Sequence, residues 1–477
     1  MKKLLAVISI LLFLAIPITY AYAAEVDAVN AAIVKSGASW VAEENEISSL
    51  PAAERNRGLG ALPFKGMPPG ERKLTPEEIP ENMKILPPAG APAGFGYLPK
   101  NPWDWRNSCY DYSATYPKLK GCCIPGLGPD VPPVCGNFVT PVKNQKNCGS
   151  CWDFSVTGAL ESQFLIKFLA PGKSLNLSEQ ILLSCDAAGT GNPGCEGGYT
   201  TDAAQFLHNQ GTGKEACYPY KAKDTSWGYT CDKACVNWHF LPYQLNSSDY
   251  GTSSNPTALT LKSLIREYGP ISVNMWVHSD FMVYYKKGVY QYSGIPDWYD
   301  SWGDPLFGGH AVVAIGYNDD GISPGGGYFI VKNSWGASWG MSGFFEIAYT
   351  EVTNSTQFGS WGGNPTVFYY GVQPVTLRIT SPDKGNEVCH SGNTCSVVFD
   401  APPFNEYTFL VHYKVGSGKW TYIDQWDGPG GAGWSRGFTA PPVTKATKAY
   451  FQVIQYYPKD TMTVAAKVTS PVFYIEP

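Results

Sequence analysis

The sequence predicts an α+β domain followed by an all-β sandwich domain, and three observations support this fold class. Apolar residues with helical spacing begin at residue 152, and strand-like runs lie between residues 269 and 335. From residue 372 the chain changes to short alternating runs separated by turns rich in Pro, Gly and Asp. At 477 residues the chain is long enough for two or three domains.

The composition excludes some classes of partner. The net charge is −5 and the sequence shows no basic stripe, so no nucleic acid is expected to bind. Only 16% of the residues are charged while 14% are aromatic, which favours well-packed domains over a long disordered tail. The 13 cysteines are an odd number. In an exported protein, one thiol is then left outside the disulfides.

The start of the chain has the pattern of an export signal. Lys2 and Lys3 precede the apolar run from Leu4 to Ile18, and Ala21-Tyr22-Ala23 forms a small-residue cleavage site. A membrane anchor is the alternative, but this run is shorter than the roughly 20 residues that a span needs. We therefore predict a signal peptide over residues 1–24 and a secreted, extracellular or periplasmic protein.

Residues 25–98 are rich in Ala, Pro, Gly and Glu, with one helix-like patch around residues 26–41. Such a segment cannot build a core of its own. It is either a flexible spacer or a segment that runs extended across another domain.

A candidate nucleophile lies in the stretch Cys148-Gly149-Ser150-Cys151-Trp152. The predicted helix from Trp152 to Leu169 places Cys151 at a helix N-terminus, where the macrodipole favours the thiolate. The side-chain amide of Gln145 could join the Cys151 N–H in binding an oxyanion. A CxxC redox pair or half of a zinc site is the alternative, although no second CxxC follows.

Two further motifs contain candidate catalytic partners. His310 follows Gly308-Gly309 and starts a β-rich run, although a lone histidine on an apolar strand is more often structural. Asn333 lies in the run from Tyr328 to Gly336. Its side-chain oxygen would orient the imidazole, and Trp335 would shield that hydrogen bond from water.

These motifs, in this order, resemble the papain family of cysteine peptidases, which includes the cathepsins. The resemblance covers about residues 101–368 and implies a papain-like catalytic domain over residues 99–370, with a helical lobe and a barrel-like lobe. It implies a thiol endopeptidase made as a zymogen, with residues 25–98 as an inhibitory prosegment. Peptide substrates are the expected partners, the protein is expected to be a monomer, and no cofactor or metal is expected.

The resemblance also implies a substrate-binding cleft. The backbone of Gly197 and Gly198 would bind a substrate strand, although a turn is the alternative reading of any Gly-Gly pair. Asn274 lies where the family usually has a small residue on the wall of the specificity pocket, and a role within its sheet is equally compatible. The predicted substrate-binding set is Gly197, Gly198, Tyr199, Asn274, Gly309 and Trp335.

Twelve cysteines are predicted to form disulfides. Cys109, Cys122, Cys123 and Cys135 lie in a Pro/Gly-rich insertion at residues 107–139, which we expect to contain two bridges of open pairing. A zinc site is the alternative there, but the adjacent residues Cys122 and Cys123 have poor geometry as zinc ligands. The resemblance implies Cys148–Cys195, a bridge from Cys185 to Cys231 or a near neighbour, and a local Cys217–Cys235 pair. Cys389 and Cys395 would close a small loop.

Two departures from the family pattern concern activity. Asp153 replaces the usual alanine, and a carboxylate there suits the helix dipole but could oppose thiolate formation. No His-His pair lies between Tyr199 and His239, where cathepsin B has its occluding loop. This absence favours endopeptidase action.

Residues 371–477 are predicted to form an immunoglobulin- or fibronectin-type sandwich of six to eight strands. Exposed Trp420, Trp426 and Trp434 could bind a cell-surface protein or a polysaccharide, or could serve packing alone. Two other functions stay open for the whole chain. One is a transpeptidase that uses the same thioester, and the other is an adhesin whose peptidase domain is an inert scaffold.

Overall fold

The computed structural model describes residues 25–50, 58–63, 99–110, 120–124, 133–167, 170–186, 194–235, 250–298 and 307–369, and most of residues 372–477. The chain divides into two compact units, and the second is formed mainly by Gln373–Pro477. Among the described residues, no helix has the length and apolar character that a membrane crossing requires.

The described part of the first unit has six α-helices and thirteen strands, besides short 3₁₀ turns. The helices are α1 (25–36), α2 (Cys151–Lys167), α3 (Glu179–Cys185), α4 (Thr200–Asn209), α5 (Ala258–Tyr268) and α6 (Ser279–Tyr284). The strands are β1 (Val41–Ala42), β2 (Pro99–Asp104), β3 (Ser108–Tyr110), β4 (Cys122–Ile124), β5 (Val134–Gly136), β6 (Tyr250–Ser253), β7 (Ile271–Val277), β8 (Tyr285–Lys287), β9 (Val289–Tyr290), β10 (Gly308–Asn318), β11 (Tyr328–Lys332), β12 (Phe344–Ala348) and β13 (Thr366–Tyr369).

A nine-stranded sheet organises this unit. Seven strands follow the order β6-β13-β7-β10-β11-β12-β9, while β2 pairs with β10 and β3. The long strand β10 pairs antiparallel with β7 on one side, where His310 lies opposite Met275. On its other side, β10 pairs with β11, where Val313 lies opposite Lys332. The strand that contains His310 is therefore fixed from both sides.

Helix α2 is buried against this sheet. From residue 151 to residue 165 every side chain is buried, including the polar ones. A helix that is enclosed all round needs apolar residues on every face, and the sequence supplies Trp152, Phe154, Leu160 and Phe164. The predicted helix is thus present, beginning at Cys151 itself.

Residues 25–50 pack on the first unit through a helix face and an aromatic anchor. Val29 and Ile33 of α1 are buried. Trp40 is 2% exposed, and its Nε1 donates to the carbonyl of Gln291 at 2.9 Å. Its ring lies 5.2 Å from that of Tyr290. Strand β1 pairs antiparallel with β8. This segment therefore buries Val29, Ile33 and Trp40 against the body of the unit.

The insertion at residues 107–139 contains two bridges, as expected, and their pairing is now given. Cys109 bonds to Cys122 and Cys123 bonds to Cys135, which joins β4 to β5. Cys148–Cys195, Cys185–Cys231 and Cys217–Cys235 also pair as the resemblance implies, and Cys389–Cys395 closes a small loop. Cys151 is the cysteine that remains a thiol.

The second unit is a two-layer β structure. Its strands are β14 (Arg378–Ser381), β15 (Val388–His390), β16 (Thr394–Asp400), β17 (Tyr407–Val415), β18 (Thr421–Gly428), β19 (Trp434–Thr439), β20 (Thr447–Tyr457), β21 (Asp460–Thr469) and β22 (Phe473–Glu476). One sheet has the order β14-β16-β19, and the other has the order β15-β22-β20-β17-β18 with β21 beside β20. Phe438 of the smaller sheet lies 3.7 Å from Tyr413 and 5.6 Å from Phe451 of the larger, measured between ring centroids.

Two expectations for this unit need correction. Its described residues form nine strands rather than six to eight, because strands such as the three-residue β15 are too short to be recognised from alternation. Trp420 is half-buried rather than exposed, since Lys414 lies over its ring at 5.1 Å. The side chains of Trp426 and Trp434 lie outside the described residues. The immunoglobulin or fibronectin type stays a prediction.

Candidate active site

The loop before α2 is held in place by three contacts. The N–H of Gln145 donates to the carbonyl of Ser334 at 2.8 Å, and the N–H of Gly149 donates to the carbonyl of Cys195 at 2.9 Å. The Cys148–Cys195 disulfide ties the same loop to the Gly197 region. Cys151 is therefore presented at the first residue of a buried helix, where the helix dipole favours negative charge on its sulfur.

The imidazole of His310 is oriented by Asn333. Their Nε2 and Oδ1 atoms are 2.8 Å apart, and the ring of Trp335 stacks on the imidazole with 4.6 Å between centroids. If Nε2 donates this bond, Nδ1 is the unprotonated nitrogen that can accept a thiol proton. That Nδ1 is buried and has no hydrogen-bond partner among the described residues.

Both groups are neutral in the conformation described. Burial raises the pKa of the Cys151 thiol to about 12, against the opposing effect of N–H groups from Ala311, Gly60, Trp152 and Ala61. Burial also lowers the pKa of His310 to about 4, against the opposing effect of the hydrogen bond that its Nε2 makes to Asn333 Oδ1. A thiol and an imidazole with these pKa values do not form an ion pair near neutral pH.

Residues 58–63 cover these two groups. The N–H groups of Gly60 and Ala61 donate to the carbonyl of Gly309 at 3.0 and 3.1 Å. On the other side, the N–H of Gly198 donates to the Gly60 carbonyl at 2.8 Å, and the Leu62 N–H donates to the Gly198 carbonyl at 3.2 Å. Ala61 packs against Cys151 and Ala311. The segment thus lies as an extended strand over the nucleophile.

The Gln145 side chain donates to this segment. Its Nε2 donates to the carbonyl of Gly58 at 3.0 Å, and Trp335 Nε1 donates to the same oxygen at 3.1 Å. The amide is oriented from behind, because its Oε1 accepts a bond from Ser334 Oγ at 2.5 Å. A carboxamide donor held in this way is already ordered before a substrate binds.

A buried charge cluster lies behind the site. Lys143 Nζ is 2.8 Å from a carboxylate oxygen of Glu161 and 2.6 Å from one of Glu179. Burial alone would lower the pKa of Lys143, but the two carboxylates outweigh it and raise that pKa. Lys332 Nζ donates to Thr140 Oγ1 at 2.9 Å, and its pKa is lowered to about 8 by burial. The two lysines and the two glutamates line a cavity of about 10 Å³, about the size that one water needs.

Asp153 adds a carboxyl group close to this cluster. It is fully buried, its Oδ1 accepts a bond from Thr157 Oγ1 at 3.0 Å, and its Oδ2 has no partner among the described residues. Burial raises the pKa of Asp153 well above its usual value, and the Glu179 carboxylate adds to the effect. Burial therefore favours the protonated form of the side chain, which opposes a negative charge near the nucleophile.

The predicted substrate-binding residues differ in their contacts. Gly198 and Gly309 pair with the segment in the cleft, and a Cβ on Gly197 would lie 2.9 Å from Leu62. Asn274 instead donates to Thr200 Oγ1 at 3.1 Å, and its buried Oδ1 has no partner among the described residues. Tyr199 directly precedes α4, and its carbonyl accepts the Ala203 N–H.

Three residues that contribute to the site carried no recognisable sequence signal. Trp361 packs against the cluster of Ala61, Cys151 and Ala311. Asn364 Nδ2 donates to the carbonyl of Leu62 at 2.6 Å. The hydroxyl of Tyr220 donates to the Gln145 carbonyl at 2.9 Å and lies 2.7 Å from Ser150 Oγ. The short polar and Gly-rich stretches around them match no motif.

Cys151 packs against Ala311, which directly follows His310 in β10. A thiol at a helix N-terminus, near an imidazole that an asparagine orients, is the arrangement used by enzymes that transfer acyl groups through a thioester. Comparison with known proteins gives the family. Residues 133–359 match the model described as papain family cysteine protease. The chain therefore contains a papain-family cysteine protease domain.

Individual relatives agree with this assignment. Over 213 residues the chain is 40% identical to bovine Pro-cathepsin H. This match covers 44% of this chain and 57% of the relative. It is 34% identical to mouse Cathepsin J over 233 residues, 48% of this chain and 63% of the relative. It is 39% identical to mouse Procathepsin L over 213 residues, 44% of this chain and 57% of the relative. The chain thus spans about three fifths of the length of these curated relatives.

Proposed function

We propose that this protein is a secreted cysteine endopeptidase made as a zymogen. Residues 1–24 are its signal peptide, residues 25–98 its inhibitory prosegment, residues 99–370 its peptidase domain and residues 371–477 an accessory sandwich. The observation that carries the proposal is the strand of residues 58–63, which covers a Cys–His–Asn site in a domain of the papain family. The six disulfides fit an extracellular protein.

Catalysis proceeds by acyl transfer. The Cys151 thiolate attacks the scissile carbonyl, and a C–S bond forms. Gln145 Nε2 and the Cys151 N–H bind the resulting oxyanion. His310 then gives its Nδ1 proton to the leaving amine as the C–N bond breaks. Water attacks the thioester with His310 as base, which releases the acid and restores the thiol.

The direction of the prosegment explains why it would inhibit rather than be cut. Gly58 contacts Trp335 and Gln145, whereas Ala61 pairs in parallel with Gly198. His310, which stacks on Trp335, must reach the leaving amine, so Gly58 lies on the leaving-group side and Ala61 on the acyl side. A substrate has its N-terminal part on the acyl side. The prosegment therefore runs opposite to a substrate, and its peptide bonds are not presented for attack.

Removal of the prosegment would activate the site. Once residues 58–63 leave, water reaches Cys151 and His310, and the burial that separates their pKa values is lost. The thiol pKa falls, the imidazole pKa rises, and the thiolate–imidazolium pair becomes accessible.

Mass spectrometry tests this proposal. Purified proprotein is incubated with reductant at mildly acidic pH, with and without an epoxide probe for active-site thiols. Loss of the chain up to about the prosegment boundary at residues 98 and 99 and a single label on Cys151 are expected, and the Cys151→Ala protein should show neither. Once activated, Gln145→Ala should lower kcat by about 10²–10³-fold, the usual effect of losing one oxyanion donor. Peptide hydrolysis by Cys151→Ala equal to wild type would refute the assignment of the nucleophile.

A further inference from the structure

The turn at residues 360–365, called the Trp361 turn below, forms one wall of the acyl side of the cleft. Residues Trp361–Gly363 make a single 3₁₀ turn. The indole lies directly on Gly309, where a Cβ would be 2.1 Å from Trp361 Cζ3. The ring of Trp276 lies 5.1 Å from that of Trp361, between centroids, and limits its movement. Trp361 is therefore a supported part of the cleft wall.

The contacts of Ala61 show how much space this wall leaves beside the nucleophile. It is 5% exposed and packs against Cys151 and Ala311, with Trp361 packed against the same cluster. Its neighbour Gly60 has even less room, because a Cβ there would lie 1.9 Å from the carbonyl oxygen of Gly149. Where the strand in the cleft passes the nucleophile, its side chains are thus only the methyl group of Ala61 and the hydrogen atom of Gly60.

Asn364 supplies a contact that does not depend on a side chain in the ligand. Its Nδ2 donates to the Leu62 carbonyl at 2.6 Å and lies 3.3 Å from the Trp361 carbonyl. The residue is 1% exposed, and its Oδ1 is buried with no partner among the described residues. A carboxamide has both a donor and an acceptor, so it can bind a main chain that runs in either direction.

We propose that the Trp361 turn selects the substrate of the peptidase. Trp361 admits only a small side chain, such as that of Gly, Ala or Ser, at one of the two residues before the scissile bond, and Asn364 binds the substrate main chain beside it. The substrate class is therefore extended protein segments with a small residue at that position. This inference rests on the proposed function, and it goes beyond it by naming the residues that set specificity.

Three fluorogenic peptides test the selection. They differ only in the two residues before the scissile bond, which are Ala-Ala, Leu-Ala or Ala-Leu, and activated enzyme is titrated with the epoxide probe so that only competent sites are counted. We expect kcat/KM of the wild type to fall at least about 10-fold for one of the two Leu peptides. Trp361→Ala should bring that peptide within about threefold of Ala-Ala. Trp227→Ala, at a side chain that is 68% exposed, should leave the ratio unchanged.

Asn364→Leu separates the two parts of the inference. Loss of a main-chain hydrogen bond should lower kcat/KM for all three peptides by a similar factor, of about 2- to 10-fold, and leave their ratios unchanged. Wild-type enzyme that accepts Leu equally well at both positions would overturn the role of Trp361, whether or not the variants fold. Rejection of Leu that persists in titrated Trp361→Ala would also overturn it. If activated wild type and Cys151→Ala hydrolyse all peptides alike, the proposed function itself fails.

Discussion

The contact between Gly60 and the nucleophile loop gives the sharpest test of the inhibitory strand. A methyl group added by Gly60→Ala would lie 1.9 Å from the Gly149 carbonyl oxygen and 2.6 Å from the Gly149 Cα. These atoms belong to the backbone of a loop that a disulfide holds. Because the disulfide restrains this loop, we expect the strand to move out of the cleft instead.

The cost can be worked out from the hydrogen bonds that such a movement breaks. Gly60 makes two of them, at 3.0 Å to the Gly309 carbonyl and at 2.8 Å from the Gly198 N–H. At about 0.5–1.5 kcal/mol each, their loss destabilises the closed cleft by about 1–3 kcal/mol. The population of open zymogen should therefore rise by about 5- to 150-fold.

The assay is the rate at which the epoxide probe labels Cys151 in intact zymogen. Labelling requires an open cleft, so the rate should rise by the same factor in Gly60→Ala until it reaches the rate of the mature enzyme. Val34→Ala is the matched control, because this side chain is 78% exposed on α1 of the same segment. A labelling rate in Gly60→Ala equal to that of wild type would refute the packing argument.

Three further predictions concern stability and positioning. Lys143→Met leaves two buried carboxylates without their cation, and thermal denaturation should show a loss of about 3–5 kcal/mol, whereas an unchanged Tm would contradict the role of the cluster. Tyr220→Phe removes the hydroxyl bound to the Gln145 carbonyl, so kcat should fall about 2- to 10-fold with KM unchanged; a change confined to KM would argue against positioning. Asp153 binds its proton more tightly in the folded chain because burial raises its pKa, so wild type loses stability as the pH rises above about 4. Asp153→Asn should therefore be more stable than wild type at pH 7 and lose this advantage toward pH 4, and a pH-independent difference in Tm would contradict this.

The local chemistry of the site was readable from the sequence because each part lies within a short motif. The residues from Cys148 to Trp152 combine a candidate nucleophile with a helix start. His310 lies in β10 directly after two glycines, and Asn333 directly follows β11, two positions before Trp335. The structure puts Nε2 of His310 2.8 Å from Oδ1 of Asn333. Patterns of this kind depend on neighbours within a few residues, and sequence reasoning detects such neighbours directly.

The strand count and the exposure of Trp420 were misjudged for a different reason. Exposure depends on what covers a side chain, and Lys414 covers Trp420 from a neighbouring strand. Strand number depends on pairing partners that lie far apart in the chain, such as β15 with β22. Alternation of polar and apolar residues gives the period of a strand but not its partner.

The sequence by itself predicted the candidate nucleophile and its imidazole and amide partners, and it determined which cysteines form bridges and which one stays a thiol. Only the tertiary structure decided what covers that thiol, because the covering strand is joined to the cleft by contacts such as Leu62 with Asn364, 302 positions apart. The same holds for the pKa values of Cys151 and His310, which are set by burial. Burial is a property of the whole packed chain, and no short stretch of sequence contains it.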